Sequence, residues 1–393
     1  MNYADSPYWL SLQRLDAWLV AHNYQGYDPF DGLSSYLRPL TFHKRFPQQV
    51  LQQVVRRNPF NLRPLLGIKP HTSTKGMGFL AGGYLQLAQM TGDKKYYDRT
   101  QWAFDWLMTN KSPGYTGYCW GNAFDYISRG SDIPKDAPTV VWSGLIGHEF
   151  IDAWRALKDR RYLDVARDVA RFIMTDLAHF PVPHGTCISY VTNAQLYVHN
   201  ANLLGARMLS EVYKETGEQQ LLDLATAAVR ASAMSHLPNG AWYYGEDPMY
   251  HWIDNWHTAY DLDAILGYQL NSGNTEFQPV LEKGLQFFVD NFFTPDGGPK
   301  YYWDRAYKFD IQSSSQAIDT LTLFSREFHR PELLALAEKV AGWTIANMQD
   351  PSGYFYLWKN AYFTNRTPTM HWGAATMFHA LAHLLRERTA REH

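Results

Sequence analysis

The amino-acid sequence predicts an all-α protein, a closed ring of six helical hairpins known as an (α/α)6 toroid. Three observations carry that prediction. One unit returns five times: a helix, a tight turn, a second helix, then a long loop rich in glycine and aromatics. The second helices keep a register, marked by Tyr97-Asp98, Leu163-Asp164, Leu222-Asp223, Phe277-Gln278 and Leu333-Leu334, at successive offsets of 66, 59, 55 and 56 residues. A sixth first-helix pattern over residues 371–386 has no partner after it, and an amphipathic stretch over 7–21 (PYWLSLQRLDAWLVA) supplies one. Pairing the last helix with the first closes the ring, whereas an open solenoid leaves both unpartnered.

In chain order, the 7–21 helix is followed by NYQGYDPFDGL, which has the character of the later loops. Residues 34–73 interrupt the repeat and read as an insertion across the ring, within a single domain spanning 1–393. First helices are expected over about 75–90, 140–157, 199–216, 256–270 and 313–327. They are apolar on several sides, as in MGFLAGGYLQLA and NANLLGARML, which suits an inner ring packed on both flanks. The second helices, for example YLDVARDVARFI, carry charge on one face and suit an outer ring. These helices open at the register marks, after the turns TGDKKY, KDRRY, TGEQQ, SGNTE and FHRP.

Composition narrows the function classes. A formal net charge of −2 without a basic run argues against nucleic acid as a partner. No apolar stretch reaches about twenty residues, so membrane insertion is not expected, and the start MNYADSPYWLSLQR lacks a secretory pattern. Cytoplasmic residence is the expectation. Cys119 and Cys187 make neither a disulfide framework nor a metal cluster and are read as reduced and packed. No cofactor signature is present, and oligomeric state is left open.

Chemistry is expected on the face where the long loops meet the N-termini of the inner helices, whose free N–H groups favour oxygen-rich ligands. The loops there (YTGYCWGNAFDY, NGAWYYGEDPMYHWIDNW, PKYYWDRAYKFD, SGYFYLWKNAYF) set aromatics beside carboxylates and amides. Sugars need that mixture: rings to stack on and polar groups for hydroxyls.

Four groupings follow. His199, His257 and His371 mark three inner-helix starts, 58 and 114 residues apart, so repeat-equivalent positions point toward one axis as hydrogen-bond donors or a general acid or base. A three-histidine metal site is the less favoured reading, because no HxH or HExxH pair accompanies them. Glu246, Asp254, Asp261 and Asp263 form the second grouping. Asp254 is placed to cap the fourth inner helix, and Asp261 and Asp263, two apart, cannot share a helix face. Asp28 and Asp31 form the third, with ordinary turn chemistry as the competing explanation. Trp120, Asn122, Asp125 and Arg129 form the fourth. Lys75, Asn202, Trp242, Tyr243, Trp256, Tyr260, Trp358 and Trp372 complete the expected substrate-binding set.

The runs GYDPFDGL, NLRPLLGIKPHTSTKG, CWGNAFDY, PTVVWSGLIG, VHNANLLGARML, NGAWYYGE and WIDNWHTAYDLDAIL together resemble the bacterial polysaccharide biosynthesis proteins of the VpsJ type, along nearly the whole chain. That resemblance implies a six-hairpin glycosidase-like fold and a place in exopolysaccharide or capsule assembly, without implying a reaction. At fold level the chain also looks like N-acetylglucosamine 2-epimerases and unsaturated glucuronyl hydrolases.

The leading expectation is a glycoside hydrolase acting on an oligosaccharide or polysaccharide. Asp254 and Glu246 would supply one carboxylate and Asp28 or Asp31 the other, with His257 assisting. A cavity presenting Tyr, His and Lys75 in a basic pocket instead points to a uronic-acid epimerase or a polysaccharide lyase, which need a base and a cation rather than an acid pair. A glycan-binding protein that leaves its ligand intact is the third reading. A terpene-cyclase-like ring is disfavoured by the absence of a DxDD run.

Overall fold

The computed structural model describes residues 3–392 and contains thirteen α-helices among them. Helix α1 (Pro7–Ala21) comes first and α2 (Arg45–Arg57) lies in the interruption of the repeat. Five hairpins follow: α3 (Thr74–Thr91) with α4 (Lys94–Thr109), α5 (Val140–Leu157) with α6 (Arg160–Thr175), α7 (His199–Thr216) with α8 (Gln219–Ala233), α9 (Asn255–Ser272) with α10 (Gln278–Asn291), and α11 (Ile311–Glu327) with α12 (Pro331–Met348). Helix α13 (Thr376–Glu392) ends the series. Helix α3 packs on α5, α5 on α7, α7 on α9, α9 on α11, α11 on α13, and α13 returns to α3. Helix α1 packs on α12 and α13, completing the sixth hairpin. The molecule is therefore a closed (α/α)6 toroid.

Local chemistry explains the boundaries. Side chains of Ser73, Thr139, Asp254 and Asp310 accept backbone N–H groups at the starts of α3, α5, α9 and α11. Helices α3, α7 and α9 stop at Gly92, Gly217 and Gly273, each left-handed, where glycine has no Cβ penalty. Three outer helices open three residues before their register marks, at Lys94, Arg160 and Gln219. Asp93 and Asp159 cap two of them, so turn residues that read as loop already belong to the first helical turn. The last inner helix is entered through a π-turn over Met370–Ala375, with a non-helical residue at Trp372.

Inner helices meet closely. A Cβ on Gly82 would lie 1.9 Å from Oε2 of Glu149, so glycine lets a carboxylate of α5 sit against α3. Deeper than the first helical turns, the ring holds a buried charged network. Glu211 meets Nδ1 of His148 at 2.8 Å and Nε of Arg207 at 2.9 Å. Asp319 accepts from Nδ1 of His379 at 2.7 Å and Nδ1 of His383 at 2.8 Å. Asp263 accepts through one oxygen from Gln316 at 2.8 Å and Thr320 at 3.0 Å, and its other oxygen, like one of Asp261 on another face of α9, is buried without a partner among the described residues.

The long connections lie on one face and contain short antiparallel pairs that helical periodicity does not predict. Strands β1 (Tyr126–Ile127) and β2 (Asp132–Ile133) set Tyr126 opposite Ile133. Strand β3 (His179–Val182) pairs with β4 (Gly185–Ile188). Strand β5 (Phe309–Asp310) pairs with β6 (Trp358–Lys359), which pairs with β7 (Thr364–Asn365). The interruption lies beside this face: Gln52 of α2 donates to the carbonyl of Ile127 at 3.2 Å and accepts its N–H at 2.9 Å. No helix among the described residues is long and apolar enough to cross a membrane.

Candidate active site

A cavity of about 1020 Å³ opens at the mouth of the ring, lined by first-turn residues of the inner helices, by the long loops and by α2. Its aromatic lining includes Tyr126, Trp142, Tyr244, Trp252, Trp256, Tyr301, Trp358 and Trp372. Its charged lining is uneven: Arg56, Arg57, Lys75, Arg129 and Lys308 against the single carboxylate of Asp310.

His257 is the oriented group. Asp254 uses Oδ1 to cap α9 through the His257 N–H at 3.0 Å. Its Oδ2 takes the Trp252 indole N–H at 2.8 Å and lies 2.6 Å from Nδ1 of His257. A buried carboxylate at Nδ1 holds the proton on that nitrogen and leaves the Nε2 lone pair free. Nε2 has no partner among the described residues and is not sealed among the buried orphan atoms, and the ring lies on the cavity wall. The ring is fixed by Trp256, with centroids 3.4 Å apart, and by Tyr244 at 4.4 Å.

Lys75 enters the cavity from the first turn of α3, three helices around the ring from α9 and so opposite His257. It is 2 % exposed and makes no hydrogen bond or ion pair with a described residue. Its Nζ lies 5.0 Å from the Trp142 ring and 5.5 Å from that of Tyr260. Burial pushes the ammonium down to about 7, and the Asp28 charge only partly opposes this.

Three further wall atoms are buried without partners: Nε1 of Trp142, Nε1 of Trp256 and Oδ1 of Asn200. They stand on the first turns of three successive inner helices, two donors and one acceptor. Unmet buried polar groups each cost about 1–3 kcal/mol, and hydroxyls of a bound ligand would satisfy them.

Of the residues expected from sequence, Lys75, Asn122, Trp256, His257, Trp358 and Trp372 line the cavity, as does Arg129. Asp254 stands behind His257. Asp28 is buried behind the wall, 2.7 Å from Nδ1 of His371, whose Nε2 has no partner. Asp31 is locked to Arg63 at 2.7 Å and accepts the Asp28 N–H at 3.0 Å, which is turn and bracing chemistry. Asp125 accepts from Arg38 and from the Lys135 N–H.

His199 and Asn202 turn outward to Ser232 of α8, and Nε2 of His199 meets the half-exposed Glu246 at 2.9 Å. The three inner-helix histidines thus diverge. Among the described residues no group of three His, Cys, Asp or Glu could hold a metal ion. Trp120 and Trp242 are core residues whose indole N–H groups donate to the carbonyls of Leu107 and Ser232. Tyr243 stacks on His251 at 4.2 Å, and the Tyr260 hydroxyl accepts from Gln312 at 3.1 Å; neither lines the cavity.

Sequence reasoning did not single out Arg56, Arg57, Trp142, Asn200 or Lys308. The Arg-Arg pair ending an amphipathic stretch was the available signal for the first two, and the first-turn positions of VVWSG and HNAN for the next two.

Comparison with solved structures finds the same ring in other proteins. The cellobiose 2-epimerase of Bacillus thermoamylovorans is 12% identical over 83% of this chain and 90% of that one, with a TM-score of 0.65. A GH76 α-mannanase of Bacteroides thetaiotaomicron is 14% identical over 81% and 87%, at 0.61. An unsaturated glucuronyl hydrolase specific for heparin is 13% identical over 81% and 87%, at 0.56. At these identities the likeness shows the shared (α/α)6 fold. No family model matches the chain, and no curated protein matches it significantly.

Proposed function

We propose that this chain is a carbohydrate-active enzyme that moves a proton on a sugar: an epimerase or, through the same first step, a lyase. The observation that carries this reading is the pairing of an Asp254-oriented His257 with a cavity wall bearing five Lys or Arg side chains and one carboxylate. Two-carboxylate hydrolysis needs an acid and a base flanking one bond. The candidate carboxylates are instead engaged as a cap, a histidine partner and an arginine partner.

His257 Nε2 takes the proton from a carbon beside a carbonyl or carboxylate, and the C–H electron pair moves into that group as an enolate. Lys75, across the ring, stabilises the enolate oxygen as a cation or returns a proton to the opposite face of the carbon. Reprotonation there inverts the centre and gives an epimer. Expulsion of a substituent from the next carbon instead gives an unsaturated product. Trp142, Trp256 and Asn200 meet hydroxyls, while the aromatic walls stack on sugar faces.

The cellobiose 2-epimerase and unsaturated glucuronyl hydrolase relatives in fold act on sugars as their names state, which is consistent with this reading. The resemblance to polysaccharide biosynthesis proteins supports a role in exopolysaccharide assembly. The test is product analysis on a panel of neutral and uronate oligosaccharides. An epimer or an unsaturated sugar is the expected result. Hydrolysis that survives His257→Gln contradicts the assignment, and a glycan that is bound but unchanged on prolonged incubation makes the protein a glycan-binding component.

A further inference from the structure

We infer that the cavity mouth carries an oxyanion subsite, formed by Arg56 and Arg57 of α2 with Lys308 from the loop before α11, and that the ligand is an acidic glycan whose uronate carboxylate docks there. The inference rests on the carbohydrate reading above but not on the reaction assigned to His257.

The arginines are held in place. Besides the Gln52 pairing with Ile127, Gln49 donates to the Ser128 carbonyl at 3.1 Å. Arg45 pairs with Asp132 and donates to the carbonyls of Ser128 at 2.8 Å and Arg129 at 3.0 Å. Six polar contacts thus clamp α2 to the β1–β2 hairpin, and its last turn presents Arg56 and Arg57 to the cavity.

Neither guanidinium has a hydrogen-bond or ion-pair partner among the described residues. Arg56 lies over the Phe30 ring at 4.2 Å and reaches toward Trp372 at 5.8 Å, contacts that orient it without neutralising it. Lys308 has one carboxylate nearby, Asp310 at 3.7 Å, and that side chain also caps α11. Burial lowers the Lys308 ammonium, the Asp310 charge partly opposes this, and the charges of Arg56 and Arg57 lower it further, so Lys308 feels both guanidinium groups.

Holding three like charges around one carboxylate is unfavourable unless a further anion neutralises them. Two arginines at a helix C-terminus are explained by the helix dipole, but the dipole does not explain a partly exposed lysine lining the same cavity from another loop. The aromatic floor and the unpartnered indole N–H groups below make the rest of the site fit for sugar. A guanidinium pair suits a planar carboxylate through parallel N–H donors, and sulfate or phosphate esters share that chemistry.

The test is binding of the full chain to an array of neutral, uronate, sulfated and phosphorylated oligosaccharides, followed by calorimetry on the tightest binder. Uronate glycans are expected to dominate. Arg56→Gln with Arg57→Gln should weaken their binding at least tenfold, leave the affinity for matched neutral glycans unchanged and not lower the melting temperature of the free protein. Lys308→Gln should act in the same direction from the other side of the mouth.

Binding confined to sulfated or phosphorylated sugars would keep the subsite and overturn the carboxylate. Neutral glycans bound as tightly as acidic ones, or acidic binding unaffected by the double variant, would overturn the subsite. Proton exchange on a neutral sugar would then leave the epimerase reading standing, whereas failure of every glycan to bind would sink both.

Discussion

Asp319→Asn is the sharpest probe of the ring's buried charge. Asp319 is 16% exposed, and its two oxygens accept from His379 at 2.7 Å and His383 at 2.8 Å. The two histidines hold its carboxyl well below the usual range, and in return Asp319 and Glu149 hold His379 well above the usual imidazole value despite burial. Removing one partner of a buried pair costs about 3–5 kcal/mol. The amide keeps one acceptor, and Glu149 remains 3.3 Å from His379, so the expected loss is about 2–4 kcal/mol.

The pH dependence has a definite sign. A depressed carboxyl stabilises the fold above its unfolded value near 4 and loses that contribution as pH falls through the folded value. A raised imidazole contributes fully below about 6.5 and loses its contribution as pH rises through the folded value. Wild type and variant should therefore differ most between about pH 4 and 6.5 and converge on both sides. Urea unfolding across that range measures it. A difference below about 1 kcal/mol, or one that does not vary with pH, refutes the network as drawn.

Other outcomes follow from the cavity. If Lys75 acts as a cation, turnover falls as pH rises through about 7; Lys75→Arg should move that limb to higher pH, and Lys75→Met should cost about 10²–10³ in rate below the limb and progressively less above it. Asp254→Asn keeps a capping oxygen but sets an amide N–H₂ against the Trp252 indole N–H and Nδ1 of His257, so it should cost about 1–3 kcal/mol of stability. It frees Nδ1 of His257 from its carboxylate, however, and by analogy with the serine-protease triad turnover should drop about 10³-fold or more. Trp142→Phe removes a buried N–H with no protein partner, so thermal unfolding should be unchanged or slightly improved while glycan affinity, read by calorimetry, falls about tenfold.

The ring was legible because its signals are local and repeated. Glycine ends α3, α7 and α9, and capping side chains open α3, α5, α9 and α11, so the register survives even though Asp93 and Asp159 start their helices earlier than the apolar pattern does. His257 was legible for a similar reason. It follows Asp254 by three residues, the spacing at which a cap side chain reaches both the backbone and the imidazole.

The remainder depended on tertiary partners that spacing does not carry. His199 occupies a repeat-equivalent position, yet Ser232 and Glu246 draw its ring away from the axis. Asp31 reads like a catalytic carboxylate until Arg63, thirty-two residues later, closes on it. Trp120 and Trp242 look like stacking platforms, but backbone carbonyls satisfy their indoles in the core. Arg56 and Arg57 lie outside the repeat, and the contacts of Arg45, Gln49 and Gln52 with the β1–β2 hairpin bring them over the mouth.

The most direct measurement is proton NMR of acidic and neutral oligosaccharides incubated with the protein in D2O, following the C–H signal beside the carbonyl or carboxylate. The account predicts that this signal is lost as deuterium washes in, with an epimer or an unsaturated product appearing, and that His257→Gln abolishes the exchange. Glycosidic cleavage with that C–H intact, or exchange that persists in the His257 variant, would contradict it.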